Sequence, residues 1–315
     1  MSSEIQSPFK FLWEYNYPFK YWQNRVQKIN PFNEQDRFEA LYTAVLLSDI
    51  YTHVFAAKVR NPDLPWFVVK EETYRNNINS VLENLESDGF PLVENMLEHE
   101  DTMASIMTNE EYTIDELEAL SIGLLGCPAS IDDETQSVEF HEDPWLHRGV
   151  CNAILNYADG TKNLLNDFKH GFRVIPVTPD DLRLLTKEIM MFDSDGDKEY
   201  TRRTQELDKK LTDEGEWNFA FARMQTTKED YGYDCQLDIY HVDAWACYKF
   251  SEVVLTALYN LIRPDGGKYL WEKVERTPGL GGEDGFSAID HVMGFGLPLR
   301  DDPDTVLTKE EFQSG

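Results

Sequence analysis

Two groups of side chains have the types and the spacing that chemistry needs. Between Ala40 and Ala57 the only Asp, Glu, Lys, Arg or His residues are Asp49 and His53. Their i, i+4 separation puts both on one helical face. In so apolar a segment the pair is expected to be partly buried and hydrogen-bonded. A carboxylate that orients an imidazole is what a general base requires; it is equally the arrangement of a satisfied structural histidine. The second group is Arg148, Asn152, Asn156, Asp159, Asn163, Asn166 and His170. On a helix these positions fall within a sector of about 80°. Leu146, Val150, Ile154, Tyr157, Leu164, Leu165 and Phe168 lie on the other face. Asn is a mediocre helix former because its amide competes for backbone hydrogen bonds. Four in register therefore point to a polar cleft or a buried interhelical network. Asp159-Gly160 is turn-like, and a break there would split the stripe in two. His170, Asn166, His53 and Asp49 are the candidate catalytic groups. Arg148, Asn152, Asn156, Asp159, Asn163 and Lys169 are the candidate binding groups.

Other motifs fail on their own chemistry. His141 and His147 stand beside Glu142 and Asp143 and could ligate a metal, but they are expected in an exposed acidic loop and helix start. Asp193, Asp195 and Asp197 match calcium-loop positions 1, 3 and 5, yet Lys198 and Thr204 occupy the positions that need Gly and Glu. Gly279, Gly281, Gly282 and Gly285 lack the strand and Lys-Ser/Thr context of a phosphate loop. Cys127, Cys151, Cys235 and Cys247 form no close pair, so four buried thiols are expected and no zinc site. No metal and no cofactor is expected.

The elements that must position these groups read as mostly helical. A helix is expected over residues 17–60, with Asn33 as an N-cap and Glu34 and Asp36 in a first turn. Further helices are expected over about 72–100, from Thr113 to about 126, from Asp143-Pro144 to His170, and over 180–191. The stretch 130–143 reads as an acidic loop. Residues 172–177 read as β-like. Alternation at 217–222 and 236–240 signals a hairpin, with residues 228–234 between its arms. It leads into a helix over about 242–262, whose isolated charges are Lys249 and Glu252. The fold class is α+β, mainly α: a helical bundle with a small antiparallel β-hairpin and a C-terminal helix. Residues 1–278 read as one domain, with an alternative subdomain boundary near 178. Residues 279–315 read as a Gly/Pro-rich loop and acidic tail.

The run Asn163-Leu164-Leu165-Asn166-Asp167-Phe168-Lys169-His170-Gly171 closes a long helix and resembles the signature helix of HEPN-like proteins. That resemblance implies a helical domain, dimerisation and, in active members, metal-independent RNA cleavage. Asn166 matches the polar position and His170 the histidine. Leu165 stands where the family carries its catalytic Arg. The resemblance therefore implies a non-enzymatic interaction protein of a defence or stress system, acting as a homodimer or with a protein partner. An enzyme or small-ligand binder with an Asp/His/Asn cleft is the alternative. An RNase working through Lys169 or Arg148 is a third.

The 315 residues carry 58 acidic and 29 basic side chains, a formal charge of −29. Such a surface repels nucleic acid over most of its area, because that affinity comes from Lys and Arg, and it disfavours anionic membranes. Concentrated salt would screen the self-repulsion, which suggests a halophilic cytosol. The N-terminus lacks signal-peptide character, and Ala40–Ala57 is too polar for a good membrane span. A soluble cytoplasmic protein is expected.

Overall fold

The computed structural model describes residues 19–60, 125–132, 137–170, 174–178, 180–181, 184, 197–213, 217–229, 232–262, 267–280 and 286–300. The helix expected over 72–100, most of those expected over 113–126 and 180–191, residues 193–196 and the tail beyond 300 lie outside them. The fold is α+β and mainly α. Contacts divide the chain into two compact units, residues 1–165 with 244–288 and residues 166–243 with 289–315. The interleaving differs from a single domain over 1–278.

In the first unit, α1 (Phe19–Lys28) and α2 (Glu34–Arg60) replace the single helix expected over 17–60. Pro31 lies in the break, where its missing N–H cannot continue a helical ladder. Asn33 then caps α2 as expected, its Oδ1 accepting the Gln35 N–H at 3.2 Å. Residues 130–143 are not simply a loop. β1 (Ala129–Asp132) pairs antiparallel with β2 (Ser137–Phe140), with Ile131 opposite Val138. Backbone pairing supplies there the hydrogen bonds that composition alone does not reveal.

α3 (Pro144–His170) runs unbroken through Asp159-Gly160. Asp143 accepts the Trp145 N–H at 3.0 Å as its cap. The Thr161 hydroxyl donates to the Tyr157 carbonyl at 2.7 Å just past the glycine. Val150, Ile154, Tyr157, Leu164 and Leu165 are buried, as their face predicts. α5 (Ala244–Ile262) is buried over most of its surface and packs on α2. Tyr51, Phe55, Phe250 and Leu258 are almost fully enclosed. Each such side chain contributes about 1.5–3 kcal/mol by leaving water. Lys58 is also buried, and its ammonium donates to the Leu261 carbonyl at 2.7 Å at the C-terminal end of α5, where cations are favoured. Lys249 and Glu252 pair at 3.0 Å. The segment Glu34–Lys58 is long and apolar enough to cross a membrane, and most of it is buried inside the unit. α6 (Trp271–Glu275) packs on α5.

The second unit is a four-stranded antiparallel sheet in the order β3-β4-β5-β6, from β3 (Val174–Val177), β4 (Asn218–Glu229), β5 (Gly232–Asp243) and β6 (Ile289–Arg300). The hairpin strands run to Glu229 and Gly232, so the connection is shorter than residues 228–234. Part of the expected Gly/Pro-rich loop is β6. The amphipathic α4 (Asp197–Asp213) packs on β4 and β6. Its Leu207 joins Val177, Ala220, Ala222, Ile239 and Met293 in the core. Ile239 faces Met293 while Tyr240 faces His291, so Val292 is an extra residue in β6. This bulge turns Val292 and Met293 toward the core together and restores the alternation beyond it.

Candidate functional site

The sheet face opposite α4 carries the chemistry. Period-2 alternation puts Phe221, Arg223 and Gln225 of β4 on that face with Gln236, Asp238 and Tyr240 of β5. Asp238 lies opposite Gly294, and Tyr240 opposite His291. Asp238 is only 3% exposed. Its Oδ2 accepts from Gln225 Nε2 at 3.3 Å, and its Oδ1 accepts from Gln236 Nε2 at 2.9 Å. His291 Nε2 lies 3.2 Å from the same Oδ1. A carboxylate only accepts, so Nε2 is the nitrogen that donates, and in the neutral ring this leaves Nδ1 as the acceptor. The His291 side chain is 49% exposed, and its ring meets the Tyr240 ring edge-on at 5.3 Å between centroids. Tyr240 stacks in turn on Phe221 at 5.1 Å.

Gly294 makes room for this carboxylate. A Cβ at that position would lie 2.6 Å from Asp238 Oδ1, closer than carbon and oxygen approach without moving. Arg223, opposite Asp238 in the register, turns instead to Asp167. Burial works against the Arg223 cation, but the Asp167 carboxylate and the Tyr240 hydroxyl beside it raise its pKa further. The arrangement is a buried acid, locked by two amides, holding an imidazole whose second nitrogen can accept a proton. On the α4 side, His241 is buried 3.2 Å from Asn218 Oδ1. Burial first, and then Lys210, push its pKa down, so it is held as the neutral ring.

The first unit has its own buried pair. Glu142 Oε2 lies 2.6 Å from His147 Nε2, with side chains 5% and 1% exposed. The same carboxylate accepts the Leu270 N–H at 2.9 Å and the Trp271 N–H at 2.6 Å. It thereby caps α6, whose Leu270 offers no side-chain cap. Burial would raise the Glu142 pKa, but the His147 ring and the two backbone N–H groups hold it below the ordinary carboxylate range. The expectation of an exposed acidic loop fails for these two residues and holds for His141 and Asp143. Among the described residues no group of three or more His, Cys, Asp or Glu side chains could hold a metal.

The remaining expected site residues are less organised. His53 Nδ1 is 2.8 Å from the Asp49 carbonyl and 3.6 Å from its carboxylate; the ring is tied first to its own helix. Asn156, Asn163, Asn166 and Lys169 are exposed, so among the described residues these side chains form no buried network. Asp159 pairs with Lys162 at 2.7 Å on the surface. Arg148 lies over the exposed Trp145 ring at 5.3 Å. Asn152 is the exception: its Oδ1 is buried with no hydrogen-bond partner. The side chain of His170 lies outside the described residues. Cys127, Cys151 and Cys247 are buried thiols outside any disulfide. Burial pushes the first two thiols up to about 12, so neither is a thiolate at neutral pH.

Sequence reading missed Asp238, His291, Gln225, Gln236 and Gly294. The alternation of β5 is visible in the sequence, but by itself it signals only a hairpin. No family model, no curated protein and no solved structure matches the chain.

Proposed function

We propose that the second unit carries a proton-transfer site in which His291 is the general base and Asp238 its positioning residue. The observation that carries this reading is the buried Asp238 carboxylate, bonded to two glutamine amides and to Nε2 of a half-exposed imidazole. Asp238 fixes the tautomer and stabilises the imidazolium that forms when Nδ1 takes a proton from a water or hydroxyl on that face. A positioned base of this kind contributes about 10²–10⁴-fold to a rate. The test is hydrolysis of a panel of nitrophenyl acyl and phosphoryl esters by wild type, His291→Ala and Asp238→Asn. The expected result is turnover above buffer that drops by about 10²-fold or more in both variants, measured at a temperature where circular dichroism shows each variant folded. Equal rates in all three proteins would overturn it.

A second reading, protein association through a HEPN-like helix end, draws support from the last turn of α3, where Asn166 and Lys169 are exposed on an unbroken helix. Light scattering at high salt tests it. A dimer weakened by Asn166→Asp together with Lys169→Glu is expected, and a strict monomer counts against it.

A further inference from the structure

A cleft between α1 and α5 in the first unit has a volume of about 150 Å³. Its walls divide by chemistry. Phe19, Val26, Leu255 and the ring of Tyr259 supply an apolar bed, while Gln23 and Gln27 supply amides along one rim. The Phe19 and Tyr259 rings sit 5.1 Å apart, centroid to centroid. Lys268 and Lys273 line the same cleft. The Lys268 ammonium lies 3.8 Å from the centre of the Tyr259 ring. Neither lysine forms an ion pair among the described residues, and the one acid of the lining, Glu252, is bound to Lys249 at 3.0 Å. In a chain of charge −29, two lysines without carboxylate partners beside an apolar bed make a local positive site on an anionic surface.

We propose that this cleft binds a small monocarboxylate whose apolar body is about the size of a benzene ring. An apolar cavity of about 150 Å³ accommodates benzene, which sets the size of the body. The two ammonium groups select an anionic head, which they bind by charge-assisted hydrogen bonds. The surrounding field sets the charge: each further negative charge on the ligand is repelled by the acidic surface, so a monoanion is favoured over a phosphate dianion. The proposal rests on the first unit alone and does not depend on the His291 site.

The probe is benzoate, with benzyl alcohol and benzylamine as bodies of the same size and different charge, followed by ligand-observed NMR. Benzoate is expected to bind in the millimolar range, as suits so small a ligand, and more tightly than either analogue. Lys268→Gln and Lys273→Gln are each expected to weaken it by about three- to fivefold, the range of a solvent-accessible ion pair. Gln23→Trp, on the exposed side of α1, should fill the cleft and abolish binding at unchanged melting temperature. The proposal is overturned if benzoate shows no binding, if benzyl alcohol or benzylamine binds as well, or if the double lysine variant binds like wild type.

Discussion

Replacing Glu142 by Gln should cost more stability than any surface change in this chain. The substitution keeps the shape but removes a buried charge and turns one acceptor oxygen into an N–H₂ donor. In the Oε1 place that donor would face the N–H of both Leu270 and Trp271, and in the Oε2 place the Leu270 N–H and the ring of His147. Taking a buried carboxylate away from the donors that surround it costs about 3–5 kcal/mol, the range for breaking a buried pair. For a unit of this size each kcal/mol moves the melting temperature by about 2–4 °C, so a drop of about 6–20 °C is expected. Urea unfolding followed by tryptophan fluorescence measures the total. Amide exchange at Leu270 and Trp271 localises it, because their cap weakens from a carboxylate to at most one neutral carbonyl oxygen while the α2–α5 core keeps its own hydrogen bonds. Because the folded Glu142 pKa is depressed, its stabilisation is present above the unfolded value near 4.5 and is lost as pH falls through the lower folded value. The wild type should therefore lose α6 protection in acid, and Glu142→Gln should not show that step. A loss below about 0.5 kcal/mol, typical of a surface position, would refute the capping argument.

Other predictions test separate parts of the molecule. Gly294→Ala should push Asp238 off His291 and cost about 1–3 kcal/mol, as overpacking does; a variant as stable as wild type with the contact intact in a crystal structure would contradict the close approach. Asn156→Ala and Asn163→Ala should be neutral or slightly stabilising by helix propensity, within about 0.5 kcal/mol each, since both side chains are exposed; thermal melts check this. The melting temperature should rise steeply with KCl as the −29 charge is screened, and a flat profile would argue against the halophilic expectation. His241 is held neutral by burial, so its contribution is present above the unfolded value near 6.5 and is lost as pH falls below it; His241→Gln should flatten that part of the pH–stability curve.

Legibility in the sequence followed the range of the forces involved. The cap of α2, the start and buried face of α3 and the Lys249–Glu252 pair depend on residues a few positions apart, and these were readable. The break at Pro31 was readable in principle and was overridden by the apolar run behind it. The Asp238 site was not readable, because it joins β4, β5 and β6 across 13 and 53 residues through a register that a bulge at Val292 adjusts. Glu142 was misread for the same reason: its partners at Leu270 and Trp271 are 128 and 129 residues away, so local acidity looked like solvent exposure. The Asn stripe failed differently. Its regular spacing was real, but the helix presents Asn156, Asn163 and Asn166 to water and turns only Asn152 partly inward.

The alternation of the two units along the chain constrains how the protein can be made. Residues 166–243 interrupt the first unit, and residues 244–288 interrupt the second. Neither can be cut out as one continuous stretch. During synthesis the first unit cannot be completed before α5 and α6 emerge, and until residue 289 follows them β5 has an open edge. An unpaired strand edge is a template for association with other chains. A chain released at residue 288 would carry the whole first unit and three strands of the sheet, yet it should aggregate where the full chain does not. β6 thus carries His291 and also moves the open edge of the sheet off β5 and onto a strand blunted by its bulge and by Pro298, which has no N–H to offer.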